Sequence, residues 1–226
     1  MLRKTLCLIA ALALAFSGFA LADDLEITQE AFYVTPTLTY YSGQIFGEIT
    51  NTSDHPMRIT DMLYELYDAD GSSIASGTVY TIRPRCIAPS ERAWFAVSGS
   101  VKDAAEPEAI AGYSVSVAGK PADEADLLRS VSEVELSDNT GLIDGKHFGC
   151  VVTNDTEETL GNLVAMFALY GEDGALLYAV ETTTLGLGLT PGSSGLVTVP
   201  FDNGVLKSLI ASGVGFGQIE VAVTDW

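Results

Sequence analysis

The sequence is poor in basic residues. Its 226 residues contain 11 Lys and Arg against 30 Asp and Glu, which gives a formal net charge of −19 at pH 7. Proteins that bind nucleic acid or anionic lipid need clustered positive charge, because phosphate contacts supply much of their binding energy. We therefore exclude nucleic acid as a partner and expect an acidic, soluble protein.

Cysteine and histidine are also scarce, with three and two residues. A closed zinc site needs four ligands, and a disulfide-stabilised fold needs several cysteine pairs, so the chain fits neither. Beyond the N-terminal segment the cysteines are Cys86 and Cys150, which lie in different halves of the sequence. Two alternatives stay open for them: a disulfide that joins the halves, or two free, half-buried thiols. We predict no metal and no cofactor.

The signatures of common catalytic sites are missing as well. The sequence has no G-x-S-x-G elbow, no P-loop and no H-E-x-x-H helix. Asp68, Asp70 and Gly71 resemble the start of a calcium loop, but Val79 stands where an EF-hand needs its final glutamate. A hairpin turn explains these residues better. We predict no catalytic residues and a protein that is not an enzyme.

Only one long apolar run is present, at the N-terminus. It spans residues 6–16, follows two basic residues, and precedes an A-x-A pattern that ends at Ala22. This is the pattern of a cleaved secretory signal peptide, and the run is shorter than the roughly 20 residues of a membrane-spanning helix. We predict removal of residues 1–22, a mature start at Asp23 without an integral membrane segment, and a secreted, extracytoplasmic location.

Helical periodicity is nearly absent from the rest of the chain. Short runs of alternating or β-branched residues dominate, such as residues 44–50 and 219–223, with Gly, Pro, Asn and Asp between them. Such runs indicate an all-β sandwich or barrel. A short helix is predicted over residues 203–212, where apolar residues recur at helical spacing.

The mature sequence repeats itself at a step of about 103 residues. Residues 49–51 match residues 152–154, and the block at 64–71 matches the block at 167–174. Several matches in one order and at nearly one offset indicate a tandem duplication. A stretch that contains acidic residues, Gly and Pro separates the copies. The predicted division is domain one at 23–119, an acidic linker at 120–128, and domain two at 129–226.

Each copy contains an aromatic-x-Leu-Tyr strand that runs into a turn closed by glycine. Alternate side chains of a strand face opposite ways. The predicted core-facing residues are Tyr64, Leu66, Phe167 and Leu169. Tyr67 and Tyr170 should point to the other side, where their hydroxyls stay hydrated. Asp68 should bond the turn backbone, and Gly71 and Gly174 should supply its positive φ.

The repeated block resembles the FxLYD domain of bacterial exported proteins, named for Phe-x-Leu-Tyr-Asp. Residues 64–68 carry Tyr in place of Phe, and residues 167–171 carry Gly in place of Asp. Residues 47–51 fit the family's preceding Gly-x-Val-x-Asn strand, and residues 191–192 fit its later Pro-Gly turn. The resemblance implies an immunoglobulin- or fibronectin-like β-sandwich for each half, and it implies no catalytic residues.

Three aromatic residues, Tyr40, Tyr41 and Trp94, are candidates for binding. Alternation requires one of Trp94 and Phe95 to face outward from a two-layer sandwich. Exposed aromatic rings anchor protein or sugar contacts, although packing between the two domains would explain them as well. We predict a secreted, non-enzymatic binding or structural module with a protein partner. The alternative is a protein that binds carbohydrate or a small ligand through exposed aromatic side chains.

Overall fold

The computed structural model describes residues 24–124, 127, 133–137, 147–154, 156–184, 188–200, 204–214 and 216–225. Within them the regular secondary structure is mainly β-strand in antiparallel sheets, which confirms the predicted all-β class. The predicted signal peptide and residues 125, 126 and 128 of the predicted linker lie outside the described residues. No helix of the described part is long and apolar enough to cross a membrane.

The first half of the described chain contains eight strands and one 3-10 turn at Pro107–Ala109. The strands are β1 (Leu25–Pro36), β2 (Tyr41–Asn51), β3 (Met57–Tyr67), β4 (Ser73–Thr78), β5 (Thr81–Arg83), β6 (Cys86–Ile87), β7 (Arg92–Val101) and β8 (Gly112–Pro121).

The second half of the described chain contains six strands and one helix. The elements are β9 (Glu133–Ser137), β10 (His147–Thr153), β11 (Leu163–Gly171), β12 (Leu176–Thr184), β13 (Ser194–Pro200), α1 (Gly204–Ala211) and β14 (Phe216–Asp225). Helix α1 confirms the helix predicted over residues 203–212. It buries Val205, Leu206 and Leu209 on one side, as the apolar spacing requires.

In the described part of the chain these strands form four sheets, two from each half. Sheet 1A has the strand order β1-β2-β7-β5, and sheet 1B centres on β3, which pairs with β4, β6 and β8. Sheet 2A has the order β13-β10-β9, and sheet 2B has the order β12-β11-β14. Under the step of about 103 residues, sheet 1A corresponds to sheet 2A and sheet 1B to sheet 2B.

Each half encloses its own apolar core between its two sheets. In the first half, Ile45, Ile49 and Phe95 of sheet 1A pack against residues of β3. The predicted core residues Leu66, Phe167 and Leu169 are fully buried, and Tyr64 is half-buried against the first core. The alternation of the sequence thus predicted the inward faces of β3 and β11.

The two halves meet face to face, with the outer face of sheet 1A on the outer face of sheet 2B. Phe46 and Trp94 of sheet 1A belong to one buried cluster with residues of β11 and β12. Every residue of β11 is buried, because sheet 2A covers one side of it and sheet 1A covers the other. The prediction of a hydrated Tyr170 is wrong for this reason: the side chain points into the interface and is 3% exposed.

A buried asparagine fixes the turn that follows β2. The Nδ2 group of Asn51 donates to the carbonyls of His55 (2.8 Å) and Ile87 (3.0 Å). Its Oδ1 atom accepts from the backbone N–H (3.0 Å) and the hydroxyl (2.7 Å) of Ser53. These bonds satisfy the side-chain amide inside the protein, which offsets the cost of burying it.

The second half repeats this arrangement around Asn154. Its Nδ2 group donates to the carbonyls of Glu158 (2.8 Å) and Leu189 (2.7 Å). Its Oδ1 atom accepts from the backbone N–H (3.0 Å) and the hydroxyl (2.7 Å) of Thr156. The two halves therefore share a hydrogen-bonding pattern as well as a sequence pattern.

Two further turns also recur in both halves. Gly71 and Gly174 close the hairpin turns after β3 and β11 with φ of +79° each, as predicted. Ser90 and Gly192 occupy a second pair of equivalent turns at φ of +64° and +72°. Each donates its N–H to the carbonyl of the buried asparagine in its own half, at 2.9 and 2.7 Å. Among the described residues, Ser90 is the non-glycine residue whose φ lies in this left-handed region.

Strand β8 ends later than the predicted boundary of the first domain. Lys120 and Pro121 still pair with Arg58 and Met57 of β3, so the predicted linker at 120–128 begins inside a strand. Proline is tolerated there because it occupies the last position of an edge strand.

Candidate functional site

The structure separates the three aromatic residues predicted to bind a partner. Trp94 is 5% exposed in the interface between sheets 1A and 2B, so the prediction of an exposed binding platform is wrong for this residue. Alternation did turn Trp94 outward and Phe95 inward, but the second half covers that outer face. Tyr41 begins β2 and packs against the first core. Tyr40 is half-buried in the turn before β2.

The turn between β1 and β2, residues 37–40, presents an exposed leucine. The side chain of Leu38 is completely exposed. Thr37 holds the turn: its N–H and its hydroxyl both donate to the carbonyl of Tyr40, at 2.8 and 2.7 Å. The Thr37 Oγ1 atom in turn accepts from the N–H of Tyr40 at 3.1 Å. We call residues 37–40 the apolar tip.

An acidic loop lies beside the apolar tip. The N–H of Tyr41 donates to the carbonyl of Ala104 at 3.1 Å, which brings the β7–β8 loop next to the start of β2. That loop contains Asp103, Glu106 and Glu108. The apolar tip therefore projects from a region of negative charge.

A buried glutamate lies at the centre of the interface between sheets 1A and 2B. Glu48 is 4% exposed. Its Oε1 atom accepts from the hydroxyl of Thr28 at 2.7 Å, and its Oε2 atom accepts from the hydroxyl of Tyr170 at 2.5 Å. The indole N–H of Trp94 donates to the same Tyr170 hydroxyl at 2.7 Å. These partners offset the desolvation of the carboxylate, which would otherwise be costly.

Arg92 extends this network toward the surface. Its guanidinium contacts Glu48 Oε2 at 3.2 Å and Glu220 Oε2 at 2.6 Å, and it lies 5.9 Å from the centre of the Trp94 ring. A second pair, Arg83 and Glu181 at 3.1 Å, also joins sheet 1A to sheet 2B. The interface thus combines apolar packing with charge pairs of opposite sign on its two sides.

The network changes the acidity of its members. Burial raises the pKa of Tyr170, and the hydrogen bond to Glu48 raises it further. Burial alone would lower the pKa of Arg92, but the carboxylates of Glu220 and Glu48 outweigh it and raise the value. Both shifts keep these side chains in their ordinary protonation states at neutral pH. We assign the network a structural role in joining the halves.

A groove of about 570 Å³ runs along the edge of this interface. Its walls include Arg92, Trp94 and Glu220, with Cys86 and Pro84 on the first-half side. Arg92 and Glu220 point at each other across it, so their charges are already paired. The one cation among its described lining residues is therefore already neutralised.

The two cysteines of the described residues do not form a bridge. Cys86 and Cys150 are both buried thiols, which decides between the two alternatives left open by the sequence. Burial raises the pKa of Cys150 to about 12. A thiol with so high a pKa is unreactive. Cys150 packs among the apolar residues of the second core.

In the acidic hairpin turn after β3, a side-chain carboxylate accepts hydrogen bonds from the backbone of the turn. The Oδ1 atom of Asp68 accepts from the N–H groups of Asp70 (3.0 Å) and Ser72 (2.8 Å). Among the described residues, His, Cys, Asp and Glu form no group of three that could hold a metal ion. The carboxylate that begins the calcium-like pattern thus serves as a turn acceptor.

Sequence reasoning missed two groups of residues. Leu38 gave no signal, because a single leucine between threonines matches no motif. Glu48 and Arg92 could have been noticed: Glu48 stands within the apolar run Ile45–Ile49, where a charged residue on the outer face suggests a paired partner. The pairing of Glu48 with a residue 122 positions away required the fold.

Comparisons with known proteins leave the family open. No family model matches the chain, and no curated protein matches it. Among solved structures the chain is similar to red sea bream transglutaminase, at 11% identity and a TM-score of 0.22. The match covers 77% of this chain and 27% of that chain, and a similarity at this level carries no argument about fold or activity.

This match bears on one prediction from the sequence. The matched protein is an enzyme, whereas the sequence analysis predicted that this chain is not one. We withdraw that prediction. The similarity assigns no activity in its place.

Proposed function

We propose that the protein is an extracytoplasmic binding module made of two tandem immunoglobulin-like halves of the FxLYD type, and that it engages a protein partner through the apolar tip. The N-terminal signal pattern supports the location, and the repeated block supports the family. The repeated asparagine turns support the tandem arrangement.

The observation that carries this proposal is the complete exposure of Leu38 on an ordered turn. An isolated apolar side chain in water gains free energy when a partner covers it, by about 25 cal/mol per Å² of apolar surface. The hydrogen bonds of Thr37 fix the turn in advance, so a partner would not have to order it. Carboxylates beside the turn favour a partner whose apolar pocket has a basic rim.

Carbohydrate binding, the alternative from the sequence, is less well supported. A sugar platform needs exposed aromatic rings, and Trp94 is buried between the halves. The remaining candidate, Tyr40, is half-buried and its hydroxyl lies 3.5 Å from that of Ser100.

The test is a pull-down from cell-envelope extracts with immobilised mature protein, comparing Leu38→Ser with the unmodified chain. We expect a discrete partner that is retained by the unmodified chain and lost with Leu38→Ser. Ile210→Ser is the matched control, because it removes a partly exposed apolar side chain from α1, and it should retain the partner. Equal retention by both variants would exclude the apolar tip as the binding site.

A further inference from the structure

Strand β14 has one edge without a partner strand in the described part of the chain. It pairs with β11 from Phe216 to Asp225, and with no other described strand. The N–H and C=O groups of an unpaired strand edge can bind another strand, so proteins commonly protect such edges with lysine or proline, or cover them with a loop or helix. Residues 216–225 contain no lysine, arginine or proline.

The equivalent strand of the first half, β8, does carry such protection. Residues 115–117 of β8 correspond to residues 221–223 of β14 at an offset of 106 residues. Like β14, strand β8 pairs with the central strand of its own sheet, but it ends in Lys120 and Pro121. The unpaired edge of β14 therefore differs from its counterpart in the repeat.

The groove at the edge of the interface runs along this unpaired edge. Strand β14 contributes residues 220–224 to the groove, five in a row. By the alternation of a strand, the even-numbered residues face the first half, as Glu220 does in its contact with Arg92, and the odd-numbered residues face the second core. Because residues of both faces line it, the groove follows the edge of the strand. At about 3.3 Å per residue it accompanies this edge for about 17 Å.

A buried threonine on this edge lacks a hydrogen-bond partner. Thr224 is 3% exposed and lines the groove. Its hydroxyl makes no hydrogen bond with another described residue. By contrast, Ser42, Glu48, Asn51 and Asn154 are buried and are all hydrogen-bonded. A buried hydroxyl is stabilised when a partner satisfies it, so this position favours a ligand that brings its own hydrogen-bonding groups.

The first half forms the opposite wall of the groove. Pro84, Cys86 and Ala88 stand there, together with Trp94. A sheet edge from a second copy of this chain would bring further strands behind it, and these would collide with the wall. A single extended peptide brings no such strands, so it is the occupant that this geometry favours.

The charges around the groove favour a basic peptide. Among its described lining residues, the carboxylates of Glu91 and Glu220 stand against the guanidinium of Arg92, which Glu48 and Glu220 already neutralise. The whole chain has a formal net charge of −19. Positive charge on the peptide would complement both, which speeds association and favours the correct register.

We propose that the unpaired edge of β14 binds an extended, basic peptide segment of another protein, which adds one strand to sheet 2B inside the groove. Backbone hydrogen bonds to β14 supply the affinity. Alternate side chains of the peptide face the wall at Pro84, Cys86 and Ala88, where small apolar residues fit.

This site is separate from the apolar tip. The tip lies at the end of sheet 1A where Tyr41 pairs with Val101, and the groove lies at the other end, where Thr50 pairs with Arg92. The ten residues of β7 separate the two sites by about 30 Å. Each site can therefore be tested without the other.

The test selects peptides from a phage-displayed library of random short sequences on the immobilised protein. We expect enriched peptides with net positive charge and apolar residues at alternate positions, and fluorescence anisotropy measures the Kd of each synthetic peptide. N-methylation then removes amide donors from the peptide. Methylating one alternate set of residues should weaken binding by at least about tenfold, and methylating the other set should not, because only one edge of the bound strand faces β14.

Two variants with an added lysine locate the site. Ala88→Lys places a long charged side chain in the groove and should weaken binding of the same peptides by at least about tenfold. Thr190→Lys is the matched control, because Thr190 is exposed in the equivalent turn of the second half, and it should bind as the unmodified chain does. Leu38→Ser, which alters the apolar tip, should also bind normally. The comparison of methylated peptides uses the unmodified protein, so it holds even if Ala88→Lys does not fold.

Four results would overturn the proposal. The first is that no peptide is enriched, and the second is that the enriched peptides tolerate methylation of either set or bind Ala88→Lys unchanged. The third is that peptides bind only after Leu127→Ser, because Leu127 of the linker also lines the groove and the chain's own linker would then be the occupant. The fourth is that the unmodified chain dimerises in sedimentation velocity and Ala88→Lys abolishes the dimer, because a second copy would then occupy the groove.

Discussion

Tyr67 and Tyr170 occupy the same position of the repeat, and replacing each by Phe tests what the interface contributes. The Tyr170 hydroxyl donates to buried Glu48 and accepts from the Trp94 indole, between two sheets. The Tyr67 hydroxyl contacts Glu65 at 2.6 Å on the open face of sheet 1B. The two substitutions remove the same oxygen atom from opposite environments.

The expected cost follows from what each substitution leaves behind. Tyr170→Phe removes a hydrogen bond to a carboxylate and leaves the Trp94 N–H buried without a partner. A lost bond to a charged group costs about 1.5–3 kcal/mol, and an unsatisfied buried donor about 1–3 kcal/mol, so we expect a loss of about 3 kcal/mol. Water can replace the Tyr67 hydroxyl, so Tyr67→Phe should cost less than about 1 kcal/mol.

Urea unfolding of the protein measures both values, with the unfolding midpoint compared at an unchanged slope. A double-mutant cycle with Glu48→Gln should show coupling between Glu48 and Tyr170, and little coupling between Glu48 and Tyr67. Equal destabilisation by the two Tyr→Phe substitutions would refute the structural role of the network. It would mean that the outer face of β11 is hydrated, as that of β3 is.

Two further predictions concern local features. Ser90→Gly should stabilise the protein, and Gly192→Ser should destabilise it, each by about 0.5–1 kcal/mol, because only glycine adopts positive φ without strain; urea midpoints that move in the same direction would contradict this. Burial raises the pKa of Glu30 to about 7 from an ordinary 4.5, so folding favours its protonated form and stability is lost as pH rises from about 4.5 to 7. Because solvent still reaches part of the side chain and screens its charge, we expect Glu30→Gln to gain only about 1 kcal/mol over the unmodified chain at pH 8 and nothing at pH 4; a difference that does not change with pH in urea unfolding would exclude the effect.

The internal organisation of each half could be predicted from the sequence because it depends on local rules. Alternation identified Leu66, Phe167 and Leu169 as core residues, since a strand has only two faces to offer. Turn chemistry identified Gly71 and Gly174, since a tight hairpin requires a positive φ. None of these inferences needs to know what lies outside the half in question.

The interface between the halves could not be predicted from the repeat, because the repeat describes only what the copies share. The difference between the copies indicates the interface. Strand β11 has apolar residues on both of its faces, whereas β3 has charged residues on its outer face. A strand that is apolar on both sides is buried on both sides. Tyr170 was predicted to be hydrated because the same motif in β3 leaves Tyr67 accessible.

The interface also restricts where a partner can bind. It covers the outer faces of sheets 1A and 2B, so a partner cannot reach the apolar side chains on these two faces. The second half holds the outer side of strand β1: Tyr33 donates to the carbonyl of Leu177 at 2.9 Å, and Gln29 accepts from the N–H of Leu176 at 2.8 Å.

The same strand packs Phe32 against the first core. A strand fixed in this way positions the turn at its end, so the interface between the halves orients Leu38 as well. Weakening the interface, for example through Tyr170→Phe, should therefore weaken partner binding at a site that the substitution does not touch, because binding would then have to order the turn.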